Sequence, residues 1–182
     1  MTSDNYETLA LDIVEIHCEQ IKSNSKQIIS ELSSEFIKLL NKVMVLNKSA
    51  AYIEISSLRR TILEDNMIIL IEVFDENWLF DGLLIKYSCI IPTLNHIIDQ
   101  FKKAVNIEAK SYMGRFPNYL AEKAILLNYK YLEEALFKVL QSSVNEWLLI
   151  DRHKRIFNQK YFRCSLGEYR RFQHVIYERA NK

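Results

Sequence analysis

Residues 52–87, YIEISSLRRTILEDNMIILIEVFDENWLFDGLLIKY, decide how this chain is read. Before them, apolar side chains recur every three or four residues. From Tyr52 they alternate, with Ile53, Ile55, Ser57 and Arg59 facing one way and Tyr52, Glu54, Ser56 and Leu58 the other. A period of two belongs to a strand with one face buried. Met67 to Phe74 is apolar and β-branched enough for a second strand, and Glu64-Asp65-Asn66 supplies turn chemistry between the two. With Asp65 and Asn66 at the centre of this hairpin, Arg59 falls opposite Glu72, a cross-strand charge pair contributing ~0.2–1 kcal/mol. Asp81-Gly82 reads as a two-residue type I′ turn, because both residues tolerate positive φ. The chain then returns as a third strand over Leu83–Ile90, with Phe80 opposite Leu83 and Trp78 opposite Ile85. The competing reading starts a helix at Leu83, since periodicity does not arbitrate a short apolar run.

Towards the N-terminus the pattern is helical. Asp4 and Glu7 have the spacing of a capping box, and Leu9, Ile13 and Ile16 follow as an apolar stripe. Ser23-Asn24-Ser25 predicts a break, because these side chains compete for backbone hydrogen bonds. Beyond it, Ile28, Leu32, Phe36, Leu39, Val43 and Leu46 repeat by threes and fours, with Glu31, Glu35, Lys38 and Lys42 off the seam. Such a seam either packs on its own domain or presents a helix face to a protein partner or a second copy of the chain. Ile28, Leu32, Phe36, Leu39 and Val43 are the candidate partner-binding residues.

Towards the C-terminus, Pro92 suits the first turn of a helix, which the spacing of Leu94, Ile97, Ile98, Phe101 and Val105 carries to about Tyr112. Gly114-Arg115-Phe116-Pro117 turns the chain into a long helix marked by Leu120, Ala124, Leu127, Tyr131, Ala135 and Val139, with a bend expected at Ser142-Ser143. From Asp151 the composition becomes basic and aromatic. Tyr161 to Leu166 reads as one more edge strand, and Gly167 as the break before a terminal helix in which Tyr169, Phe172 and Ile176 share a face.

The expected fold is therefore α+β and mainly helical, with a small antiparallel sheet of two or three strands packed against long helices. It is read as one domain over 1–182, divided into a helical segment (1–47), the sheet (51–90), long helices (92–150) and a basic aromatic element (151–182). With 182 residues, 49% of them hydrophobic and 26% charged, the chain is long enough for one sizeable core. Only 3 glycines and 2 prolines leave few residues able to end helices abruptly.

A net charge of +1 supplies no global field towards nucleic acid or an anionic membrane. No apolar run approaches the roughly 20 residues of a membrane span, and no secretory signal is read at the start, so a soluble protein with no membrane partner is expected. Cys18, Cys89 and Cys164 are widely spaced without C-x-x-C, which argues against a disulfide framework or zinc knuckle and fits a reducing cytoplasm.

Two patterns raise specific chemistry. Carboxylates at a strand end can bind hard cations or hold a proton, so Glu72, Asp75, Glu76 and Asp81, beside Trp78, suggest a metal-dependent or small-molecule enzyme. Its metal set would be Asp75, Glu76 and His96. His17, His96, His153 and His174 form no H-x-x-x-H pair, and His96 shares a helix face with Asp99. Separately, Arg152, Lys154, Arg155, Arg163, Arg170 and Arg171 lie among aromatic residues, the combination that neutralises phosphate and stacks on unpaired bases. There is no G-x-S-x-G and no glycine-rich phosphate loop, and no cofactor is implied. These observations favour a non-catalytic, cytoplasmic protein-interaction or regulatory protein. A nucleic-acid-binding accessory protein is the alternative and the enzyme the third reading.

Overall fold

A computed structural model describes residues 11–64, 66–78, 81–111, 118–148, 155–157, 160–168 and 173–180. In chain order its elements are α1 (Leu11–Ser23), α2 (Ser25–Val45), β1 (Tyr52–Ser57), a 3-10 turn (Arg59–Leu63), β2 (Ile69–Phe74), β3 (Leu83–Cys89), α3 (Pro92–Ser111), α4 (Asn118–Leu148), β4 (Tyr161–Glu168) and β5 (Gln173–Ala180). The expected break separates α1 from α2. Ser23 Oγ donates to the Glu19 carbonyl at 2.7 Å and Asn24 Nδ2 to the Gln20 carbonyl at 2.8 Å, a carbonyl that also accepts the Asn24 N–H at 3.0 Å, so short polar side chains add donors to the last carbonyls of α1. At the far end of α2, Asn47 adopts φ 50, the left-handed conformation that terminates helices. The Asp4–Glu7 box lies outside the described residues.

The sheet differs from expectation. It has five strands in the order β3-β2-β1-β4-β5 and is mixed, because β1 and β4 run parallel while the other three pairs are antiparallel. β4, expected at an edge, lies between β1 and β5. Gln173–Ala180, expected as a helix, is the strand β5; Tyr169 and Phe172 of that expected helix face lie outside the described residues. The physical reason is non-local. Val175-Ile176-Tyr177 is as good a strand former as a helix face, and pairing with β4 decides the matter. A parallel strand pair needs a long crossover, which α3 and α4 supply between β3 and β4.

Two expected registers are also corrected. Glu54, not Arg59, stands opposite Glu72. Thr61 Oγ1 donates to the Leu58 carbonyl at 2.7 Å and accepts the Ile68 N–H at 3.1 Å, so the connection winds into a 3-10 turn that takes Arg59 out of the ladder. Between β2 and β3, Val73 faces Ile85 and Phe74 faces Leu83, with a register shift between these two pairs. The third strand is present, but the reversal is a longer loop than a two-residue turn. Asp75 N–H donates to the Gly82 carbonyl at 2.8 Å, Asn77 N–H to Asp75 Oδ1 at 2.8 Å and Trp78 N–H to the Asp75 carbonyl at 3.3 Å. Gly82 is needed here for close approach: a Cβ there would stand 2.6 Å from the Trp78 backbone nitrogen. Phe80 lies outside the described residues, and Trp78 belongs to the loop rather than to the ladder.

Alternation sorts the side chains into two layers. Ile53, Ile55, Ile69, Ile71, Val73, Phe162, Cys164 and Leu166 are buried with the helices in one core cluster. Removing such side chains from water contributes ~1.5–3 kcal/mol each. Ile28, Leu32, Phe36, Leu39 and Val43 fill the same core, at most 1% exposed, with Phe36 against Trp147 at 5.4 Å between ring centres. That seam packs inside its own chain and leaves no surface on those five residues for a partner. Near the end of β1, Ser57 Oγ donates to the buried Glu133 carboxylate and ties the sheet to α4. The expected bend at Ser142-Ser143 does not interrupt α4; Ser142 Oγ donates to the Val139 carbonyl at 2.9 Å while the helix continues.

Candidate functional site

The face of the sheet away from that core carries most of its polar chemistry. Lys86, Glu72 and Glu54 stand in one row across β3, β2 and β1, and Lys86 Nζ lies 3.2 Å from Glu72 Oε1. Burial raises the Glu54 carboxyl above the ordinary range, the facing Glu72 charge adds to this, and a hydrogen bond from Trp78 and the charge of Arg163 act against it. In the next row Tyr52 stacks on Trp78 with ring centres 5.1 Å apart and the planes 21° from parallel, and packs against Tyr161 at 5.3 Å. Tyr161 Oη donates to Glu178 Oε1 at 2.8 Å across β4 and β5. Each charged group named here has a polar partner on the same face, while Glu54 and Glu72 face each other as like charges.

The metal set is not assembled. Asp75 accepts the Asn77 N–H within its own loop, Glu76 is exposed, and His96 is exposed on α3 with Nε2 2.9 Å from Gln100 Nε2. Asp99, expected near His96, instead pairs with Lys102 at 2.8 Å. Among the described residues no three His, Cys, Asp or Glu side chains gather into a group able to hold a metal ion. The thiols are held protonated by burial: Cys89 is pushed up to about 12, and Cys18 and Cys164 are raised as well.

Of the basic set, Arg152, Lys154, Arg170 and Arg171 lie outside the described residues. Arg155 is exposed, and Arg163 is half-buried on β4, hydrogen-bonded to Tyr161 and opposite Glu178. Arg163 is thus occupied by its neighbours in the sheet.

Among the described residues, two concavities lie on these elements. One, of about 620 Å³, lies over α3 and α4 and is lined by Glu64, Asp99 and Glu122 as well as Lys102, Lys103 and Lys110, so its charges balance. The other, of about 370 Å³, lies where α4 passes β4 and β5. Glu134, Phe137, Lys138 and Gln141 reach it from one face of α4, at the helical spacing of three and four. Leu166 supplies part of its floor from β4, and His174, Val175 and Ile176 line it from β5. Its lining is mixed, with Phe137, Leu166, Val175 and Ile176 beside Glu134, Lys138, Gln141 and His174. β5 ends the strand order, so among the described residues the far side of this strand has no ladder partner. Its main-chain donors and acceptors there form an edge onto which another strand can add.

The groove is not legible in the sequence: His174 reads as an isolated histidine and Ile176 as part of a helix face, while Phe137 and Gln141 carry no signal until β5 is placed beside α4. Comparison with protein-family models, with curated proteins and with solved structures finds no match. Among the described residues no helix is long and apolar enough to cross a membrane.

Proposed function

We propose that this chain is a non-catalytic, cytoplasmic protein-interaction protein that takes an extended segment of a partner protein along β5, in the groove against α4. The carrying observation is the coincidence of a strand edge without a ladder partner among the described residues with a concave surface of mixed apolar and polar lining beside it. Strand addition draws affinity from main-chain hydrogen bonds and specificity from the side chains that alternate into a neighbouring pocket. A partner residue pointing towards α4 meets Phe137 and Ile176 and is apolar. Residues two positions away, on the same face of the added strand, meet Glu134, Lys138 and His174. Three free cysteines are compatible with the reducing compartment.

The test is selection of random displayed peptides on the folded chain, followed by amide hydrogen exchange of the complex. The expected peptides are extended, carry apolar residues at alternate positions and slow exchange within 173–180, and the exposed substitution Val175→Asp weakens them. Failure to enrich any peptide, or protection confined to another part of the chain, removes the proposal.

A further inference from the structure

The opposite edge of the sheet has a different character. β3 begins the strand order, and among the described residues nothing is paired beyond it. Leu83, at its first position, and Ile90, just past its last, are 46% and 47% exposed. A lysine in the middle of an edge strand usually guards against pairing, but Lys86 is already bound to Glu72 across the face.

We infer that β3 pairs antiparallel with β3 of a second copy of this chain, about a two-fold axis through Tyr87, joining two five-stranded sheets into one. The choice of centre follows from charge and burial. Antiparallel pairing across a two-fold perpendicular to the sheet keeps each residue on its own face, so the axis passes through a residue. Centred on Lys86, it sets two ammonium groups opposite each other. Centred on Ile85, it leaves Ile90 beyond the end of the partner strand. Centred on Tyr87, it places Lys86 opposite Ser88 of the second copy, Ile85 opposite Cys89, and Leu84 opposite the exposed Ile90, with no like charges facing.

The helix above the edge supports the same two-fold. Tyr87 Oη donates to the Glu35 carboxylate, and Lys42 Nζ lies 4.7 Å from the centre of the Tyr87 ring, so α2 runs over β3. Glu31, Glu35, Lys38 and Lys42 form one stripe of α2, acidic in the first half and basic in the second. An antiparallel neighbour sets the acids of one stripe towards the lysines of the other, beside the pairing that Lys38 makes with Glu35 at 2.6 Å and Thr93 with Glu31 inside each chain. This surface shares no residue with the β5 groove and is independent of the reading above.

Sedimentation equilibrium of the full chain tests it, with charge placed at Ser88, which is exposed in the single chain. A reversible dimer is expected. Ser88→Lys, which sets like charges opposite Lys86 twice by symmetry, raises its dissociation constant roughly tenfold, and Ser88→Glu lowers it. Circular dichroism confirms that both variants fold, and Val175→Asp leaves the dimer intact. A monomer at all concentrations up to ~1 mM, equal effects from the two charges at Ser88, or loss of the dimer through Val175→Asp would each overturn the inference.

Discussion

The two sides of the sheet are built by different kinds of connection. β1, β2 and β3 form a meander in which each strand pairs with its neighbour in the chain, whereas β4 and β5 reach β1 only after two long helices have passed. In the meander, the alternation of Ile53 and Ile55 with Tyr52 and Glu54 already states which face is buried. On the other side, Phe162, Cys164 and Leu166 alternate in the same way, yet whether they are central or peripheral depends on a strand about a hundred residues earlier. Local pairing is readable because its loops are short. Non-local pairing is not, because its partner is chosen by the path of the helices.

The strongest way to break this comparison is to ask whether the second side is integral. Phe162→Ala and Ile71→Ala each empty a site at most 1% exposed, and losses of about 3–5 and 2–5 kcal/mol are expected. Both should shift a single urea transition followed by circular dichroism. A separate early transition in Phe162→Ala alone would show that the hairpin is docked rather than built in.

Gly82→Ala sharpens the meander side. Its added methyl meets Asp75 Oδ1 and the Trp78 nitrogen at 2.6 Å, so a loss of about 1–3 kcal/mol is expected in the same denaturation experiment. An unchanged midpoint would mean that the 75–82 loop is not closed as described.

Tyr87→Phe removes the phenol that Glu35 accepts from and is expected to cost about 1 kcal/mol. The Lys38 ammonium first, and then this phenol, hold the Glu35 carboxyl below its ordinary value of 4.5. Stability from this source is therefore full above pH 4.5 and is lost as the pH falls through the lower folded value. The variant should lose less on acidification than the parent. Equal slopes between pH 5 and pH 2, set by carboxylate titration ranges, would count against the contact.

The smallest effect is expected at Glu54→Gln. Burial, and then the facing Glu72, raise the Glu54 carboxyl above 4.5, so the folded chain holds its proton more tightly than the unfolded one. Its ionisation costs stability as the pH rises through the unfolded value towards the folded one. The variant is expected to gain roughly 0.2–1 kcal/mol at pH 7, nearer the lower figure because the pair is partly solvated, and to lose that advantage below pH 4, where the carboxyl is neutral. Thermal melts at the two pH values measure it, and a gain that persists in acid would refute the charge argument.

The candidate groove was less legible than the fold. The α2 seam could be read residue by residue, but its regularity serves the core, and a regular apolar stripe looks the same whether it meets its own chain or another. The acids at 72–81 were visible as a cluster, yet Glu72 turns to Lys86 and Asp75 closes its own loop, a division only the strand register makes. Phe137, Lys138, Val175 and Ile176 form a surface only because β5 is a strand, and their spacing carried no hint of it.

From residues alone follow those features governed by neighbours a few positions away: the break at Asn24, the seam of α2, the alternation of β1 and the third strand after Gly82. Side-chain period and turn chemistry act over that range and need no distant partner. The parallel junction of β1 with β4, the strand character of 173–180 and the groove it forms with α4 were decided by tertiary structure. In each case the local preference was nearly balanced, and hydrogen bonding and burial against a remote element tipped it.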